Sequence, residues 1–87
     1  MGNLYLVDKA TAENALALAA LDSDSVVVLI QDGVYAPPER LAALKGRVYA
    51  VKQDLEQRGL GGVEWATAID YGDLVALVFQ NKVLNFA

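Results

Sequence analysis

The sequence predicts a three-layer α/β domain built on a mostly parallel four-stranded sheet, and three stretches carry that prediction. They are Val26-Val27-Val28-Leu29-Ile30-Gln31-Asp32-Gly33-Val34-Tyr35-Ala36, then Arg47 through Leu60, then Ile69-Asp70-Tyr71-Gly72-Asp73-Leu74-Val75. Each is an apolar β-type run, or the end of one, that breaks into a polar turn and restarts as something helical. Strands of a parallel sheet are covered on both faces, so they appear as continuous Val, Ile and Leu rather than as alternation.

The elements follow in order. Asn3 to Val7 is a short apolar strand ended by Asp8, which is placed to cap the next helix. That helix is expected over Lys9 to Leu21, where Ala and Leu dominate and give high helix propensity with a narrow apolar side. Asp22-Ser23-Asp24-Ser25 is the turn out of it. Val26 to Ile30, five consecutive aliphatic and mostly β-branched residues, is the clearest strand and belongs at the centre of the sheet. Pro37-Pro38-Glu39 and then Arg40 to Gly46 predict a two-turn helix with Pro in its first turn and Gly just past its end.

Arg47 to Val51 is the third strand. Asp54 is expected to cap a short helix through Arg58, with Gln57 in capping-box position and Gly59 as the left-handed stop. Gly59-Leu60-Gly61-Gly62 forms a loop before the fourth strand, Val63 to Ile69. Asp70 then caps the last helix, Tyr71 to about Gln80, with Leu74, Val75, Leu77 and Val78 on one apolar face. The alternation favours right-handed crossovers and a single domain over residues 1–87.

Composition narrows the function. A domain of 87 residues buries only about 60–65% of the surface its unfolded chain exposes. Yet 55% of the residues are hydrophobic and the mean hydropathy is +0.31, and an apolar surplus over a thin core predicts an oligomer. A net charge of −4, with the seven basic residues scattered, argues against direct nucleic-acid binding. With neither cysteine nor histidine, the chain lacks a thiol nucleophile, a thiolate metal site and the commonest general base. No cofactor and no catalytic residue of its own are therefore expected. The absence of a signal-like N-terminus and of a long apolar run predicts a cytoplasmic protein that does not enter a membrane.

Working surfaces in such folds lie at the carboxyl ends of the strands. Asp8, Asp32, Asp54 and Asp70 all fall there. Two readings stand: a metal or small-molecule site on an acidic edge, or helix caps at Asp8, Asp54 and Asp70 with a type I or II turn at Asp32-Gly33. In the second, Gly33 either has positive φ or lets another backbone approach closely.

The motifs also resemble one family, over about Ser25 to Val78. Gln31-Asp32-Gly33-Val34-Tyr35-Ala36 at the end of a hydrophobic strand, Val48-Tyr49-Ala50 leading to Asp54-Leu55-Glu56-Gln57-Arg58-Gly59, and Ile69-Asp70-Tyr71 before a helix are similar in order and spacing to blocks of TusB/DsrH proteins. The resemblance implies a small flavodoxin-like, DsrEFH-like domain. It also implies a non-catalytic subunit of a heteromeric sulfur-relay complex, which passes persulfide sulfur toward tRNA 2-thiouridine or sulfur oxidation. The implied partners are homologous DsrE/TusD-like and DsrF/TusC-like subunits. Gln31, Asp32, Gly33, Tyr35, Asp54, Arg58, Gly59, Asp70 and Tyr71 are then motif or interface positions. Some DsrH members carry a cysteine in the first helix, whereas this chain has only alanines and leucines from Ala15 to Leu21; this departure agrees with a TusB-like role. Relatives tend to end in a tryptophan-containing tail, where this chain has Phe86.

Overall fold

A computed structural model describes residues 2–8, 12–36, 38–44, 46–60 and 66–86. Its elements are β1 (Asn3–Val7), α1 (Ala12–Ala20), β2 (Ser25–Leu29), a 3-10 turn (Gln31–Tyr35), α2 (Pro38–Ala42), β3 (Arg47–Val51), α3 (Lys52–Gln57), β4 (Thr67–Ile69), α4 (Tyr71–Gln80) and β5 (Lys82–Phe86). The sheet order is β4-β3-β2-β1-β5 and every pairing is parallel. β2 takes the centre, as its unbroken aliphatic run requires; Val27, Val28 and Leu29 are fully buried.

Five strands replace the expected four. β5 pairs with β1 from Asn3↔Lys82 to Val7↔Phe86. Lys82 and Asn85 interrupt its apolar character, and an edge strand tolerates such residues because one side of it meets no neighbour.

The faces of the sheet are covered unequally. Chain direction explains why. Moving from β1 to β2 to β3, right-handed crossovers lay the connecting helices on one face; α4 runs back from β4 at one edge to β5 at the other and so lies on the opposite face. On the first face Tyr5, Val7, Val27, Leu29 and Ala50 pack against Ala15, Leu16 and Ala19 of α1, Leu41 of α2 and Leu55 of α3. On the second face Leu4, Val28, Val51 and Ile69 meet, among the described helical residues, only Leu74 and Leu77 of α4. Five strands span about 19 Å, and one helix about 10 Å wide cannot cover them. Leu6, Val26, Ile30 and Tyr49 on that face are accordingly only partly buried.

Several expectations are refined. α1 is described from Ala12, and the cap expected of Asp8 involves residues 9–11, outside the described set. α2 is shorter than expected, ending at Ala42 with a closing turn from Leu44 N–H to the Leu41 carbonyl, 3.1 Å. β4 is described over Thr67–Ile69; Val63, Glu64 and Trp65 lie outside the described residues. Of the apolar face expected on α4, Leu74 and Leu77 pack on the sheet while Val75 and Val78 are exposed. Asp70 does cap α4: its Oδ1 accepts Asp73 N–H at 2.8 Å, and Asp73 Oδ2 accepts Asp70 N–H at 3.4 Å.

The cap expected at Asp54 is not there. α3 starts directly from the end of β3, with Val51 in the cap position and no side-chain cap bond. That places Asp54 in the first helical turn, where a carboxylate still favours the helix dipole. Its oxygens point across to the loop after β2 instead. Gly59 terminates the segment with φ 68°, the left-handed conformation expected of it.

Candidate functional site at the carboxyl edge

The site is built from two neighbouring strand ends. β2 runs into the 3-10 turn Gln31–Tyr35, and β3 runs straight into α3. Asp54, 5% exposed, projects from α3 and its Oδ2 accepts Gln31 N–H at 2.8 Å. Gln31 has φ 49°, the left-handed region that a non-glycine residue rarely occupies. The Asp54 bond holds the chain in that conformation and starts the turn.

Arg58 closes the arrangement one helical turn after Asp54. Its Nε donates to Asp32 Oδ1 at 2.9 Å, its Nη1 donates to the Asp54 carbonyl at 3.1 Å, and Nη1 lies 3.8 Å from Asp54 Oδ1. The hydrogen bond to Asp32, together with the nearby charges of Asp32 and Asp54, raises the Arg58 pKa further above its ordinary value. One guanidinium thus ties the loop after β2 to the helix after β3.

Gly33 fixes the third side. It is buried, with no positive φ, and a Cβ there would overlap the Val7 carbonyl oxygen at the end of β1. Close backbone approach is therefore what this position requires, one of the two expectations for it. The Asp32-Gly33 segment is a 3-10 turn, with Gly33 N–H bonded to the Ile30 carbonyl at 2.8 Å and Ala36 N–H to the Gly33 carbonyl at 3.0 Å.

Gln31, Asp32, Gly33, Asp54 and Arg58 are brought into one cluster, with Gly59 ending the helix that carries Arg58 and Tyr35 exposed at the end of the turn. Asp70 and Tyr71 belong to a different place, the start of α4 behind β4. The cluster contains no thiol and no imidazole. Among the described residues no three Asp, Glu, His or Cys side chains are grouped to hold a metal ion. The Arg58 guanidinium pairs with Asp32 and lies 3.8 Å from the Asp54 carboxylate. What the arrangement does is hold a strained turn rigidly and present Gln31, Asp32 and Tyr35 to solvent.

A second polar cluster, at the amino ends of the strands, escaped the sequence reading. Asp22 Oδ2 accepts Asn3 Nδ2 at 2.9 Å and the Tyr5 hydroxyl at 3.2 Å, while its Oδ1 accepts Asp24 N–H at 2.9 Å. The Asn3 and Asp24 hydrogen bonds hold the Asp22 carboxyl below its ordinary pKa. Burial, then the bond to Asp22, pushes the Tyr5 phenol up. The Asp22-Ser23-Asp24 turn is legible in sequence as an Asx turn; its partners, 17 and 19 residues away, are not.

The chain is thus a five-stranded parallel α/β fold in which Arg58 ties Asp32, after β2, to Asp54 in α3. A family model described as DsrH-like protein matches residues 9–83, and the chain belongs to this DsrH-like family. A comparison with curated proteins finds no match.

Proposed function

We propose that this protein is a non-catalytic subunit of a cytoplasmic sulfur-relay complex, in which homologous DsrE/TusD-like and DsrF/TusC-like subunits carry and position the persulfide. Membership of the DsrH-like family supports the sulfur-relay role. The observation that carries the non-catalytic part is chemical: the chain contains no cysteine, and no other side chain substitutes for a thiolate in persulfide exchange. A sheet face covered, among the described residues, by a single helix supports the role of a subunit that completes its fold against others. The rigid corner formed by Gln31, Asp32 and Tyr35 is suited to present a fixed shape to the subunit that holds the sulfur. Delivery to tRNA 2-thiouridine or to sulfur oxidation is the relay's end point.

The test is affinity purification of the tagged protein from its own cells, followed by mass spectrometry and by labelling with radioactive sulfur from a cysteine desulfurase. Two homologous subunits should co-purify, one of them bearing a cysteine that takes the label. Label on this chain that survives denaturation, or purification without any homologous subunit, overturns the proposal. Among the described residues Arg58 pairs with Asp32 at 2.9 Å and lies 3.8 Å from Asp54, which favours the structural reading of this edge over a metal site.

A further inference from the structure

The two ends of the sheet treat their charges differently. At the carboxyl end Asp32, Arg58 and Asp54 satisfy one another. At the amino end a groove of about 560 Å³ opens between the first residues of the strands and the last turn of α4, a size suited to a small ligand. Asp24 and Arg47 both line it, and both are exposed. They form no ion pair with each other or with any other described residue, and among the described residues neither side chain has a hydrogen-bond partner. One groove thus holds an uncommitted carboxylate and an uncommitted guanidinium.

Strand order gives the groove a direction. Arg47 begins β3 and pairs with Val26 of β2. Asp24 stands two residues before Val26, and its backbone lies against Gly2, the residue before β1. Gly2 N–H donates to Asn81 Oδ1 at 3.2 Å, and Asn81 Nδ2 donates to the Leu77 carbonyl at 2.9 Å, which ties the start of β1 to the end of α4. The groove therefore passes from a cation on β3, across β2, to a carboxylate near the C-terminal end of α4. That end carries the negative pole of the helix dipole and has no basic residue in its last turn. Lys82, next along, pairs with Asn3 and so belongs to the opposite sheet face, with Tyr5. Between the two poles the wall is apolar, made by Val26 and Leu77.

We propose that this groove binds a free apolar α-amino acid as its zwitterion. Arg47 holds the carboxylate, Asp24 and the end of α4 hold the ammonium group, and the ligand's side chain lies against Val26 and Leu77. Neighbouring strands lie about 4.8 Å apart, so about 10 Å separates β3 from β1, room for one small molecule gripped from both sides by charge-assisted hydrogen bonds. A simple anion would be repelled by Asp24 and a simple cation by Arg47, whereas a ligand carrying both charges satisfies both. The proposal goes beyond the sulfur-relay reading and does not depend on it.

Thermal melts and calorimetric titration of the full chain with L-leucine, up to about 10 mM, test this. The melting temperature should rise with L-leucine. Isocaproate lacks the ammonium group and isoamylamine lacks the carboxylate, so each should bind at least about tenfold more weakly, the loss expected of one charge-assisted contact. Glycine, with no side chain to set against Leu77, should also bind more weakly. Arg47→Gln and Asp24→Asn should each lower the affinity for L-leucine at least about tenfold. The ligand-free melting temperature of both variants should stay close to the wild-type value, because neither side chain makes a hydrogen bond or ion pair within the described fold. Glu39→Gln, exposed on α2, should leave the affinity unchanged. No response to L-leucine, equal binding by isocaproate, isoamylamine or glycine, or an affinity that survives both Arg47→Gln and Asp24→Asn overturns the proposal. Purification without homologous subunits would overturn the sulfur-relay reading and leave these outcomes as they are.

Discussion

Among the described residues, the first face of the sheet lies under α1, α2 and α3, and the second lies under α4 alone. Both are made of the same kinds of residue: Val27 and Leu29 look one way, Val28 the other, and all three are fully buried. Away from the central strand the faces diverge, because coverage follows from the direction of the crossovers and not from local hydrophobicity. The lesson is that in a small parallel sheet the strand order decides which apolar residues become core and which remain on the surface. Position along β2 does not.

The largest expected effect probes the closed face. Leu16→Ala leaves a cavity among Tyr5, Val27 and the α1 alanines and should cost about 3–4 kcal/mol of stability. Leu77→Ala on the open face, where the site already borders solvent, should cost at most about half of that. Chemical denaturation of the two variants measures both, and equal losses would break the comparison. Gly33→Ala comes next: its Cβ has to displace the backbone of Val7, so a loss of about 2 kcal/mol or more is expected, with Asp32→Asn costing under about 0.5 kcal/mol because its partner pair is exposed. Asp54→Ala, which strips Gln31 N–H of its acceptor, should fall between these at about 1–3 kcal/mol.

A smaller effect appears in the pH dependence. Asp22 has a depressed pKa in the folded chain, so its contribution is present above its unfolded value near 4 and is lost as pH falls through the folded value. Tyr5 has a raised pKa, so its contribution is present below about 10 and is lost as pH rises through the folded value. Thermal melts of Asp22→Ala across pH should show a flattened acid limb and also a flattened alkaline limb, because the Tyr5 phenol loses the Asp22 bond that helps to raise it. An effect of opposite sign is expected at Ser25, whose buried Oγ has no hydrogen-bond partner among the described residues. Ser25→Ala removes that unsatisfied hydroxyl and should leave stability unchanged or raise it by up to about 1 kcal/mol, as read by denaturant midpoint.

How much of this was legible depended on the range of the interaction. β2 and β3, the Asp70 cap and the Gly59 stop rest on neighbours within a few residues, and their sequence signals are local. Asp54 looked like a cap for the same local reason; its actual partner is 23 residues away, and only the adjacency of β2 and β3 brings the two together. The motif residues Gln31, Asp32, Gly33 and Arg58 were legible as a set through the family resemblance, but the guanidinium bridge that joins them was not, because a carboxylate at a strand end has the same sequence signature whether it meets a metal, a helix or an arginine. β5 escaped because Lys82 and Asn85 mask a strand whose partner, β1, lies at the other end of the chain.

That last pairing has a consequence for how the molecule is made. Asn3 bonds in register with Lys82, so one side of β1 acquires its neighbour only when the last strand has been synthesised. During translation, which proceeds at about 5–20 residues per second, an emerging chain can assemble β1, β2 and β3 and their helices while β1 still shows a row of unpaired N–H and C=O groups. Ribosomes following one another on the same message hold several such chains close together, each with the same open edge. Emergence of residues 82–86 from the ribosome is therefore the moment at which β5 competes with a neighbouring nascent chain for β1, and any shortening that removes them leaves that edge permanently available to a stranger.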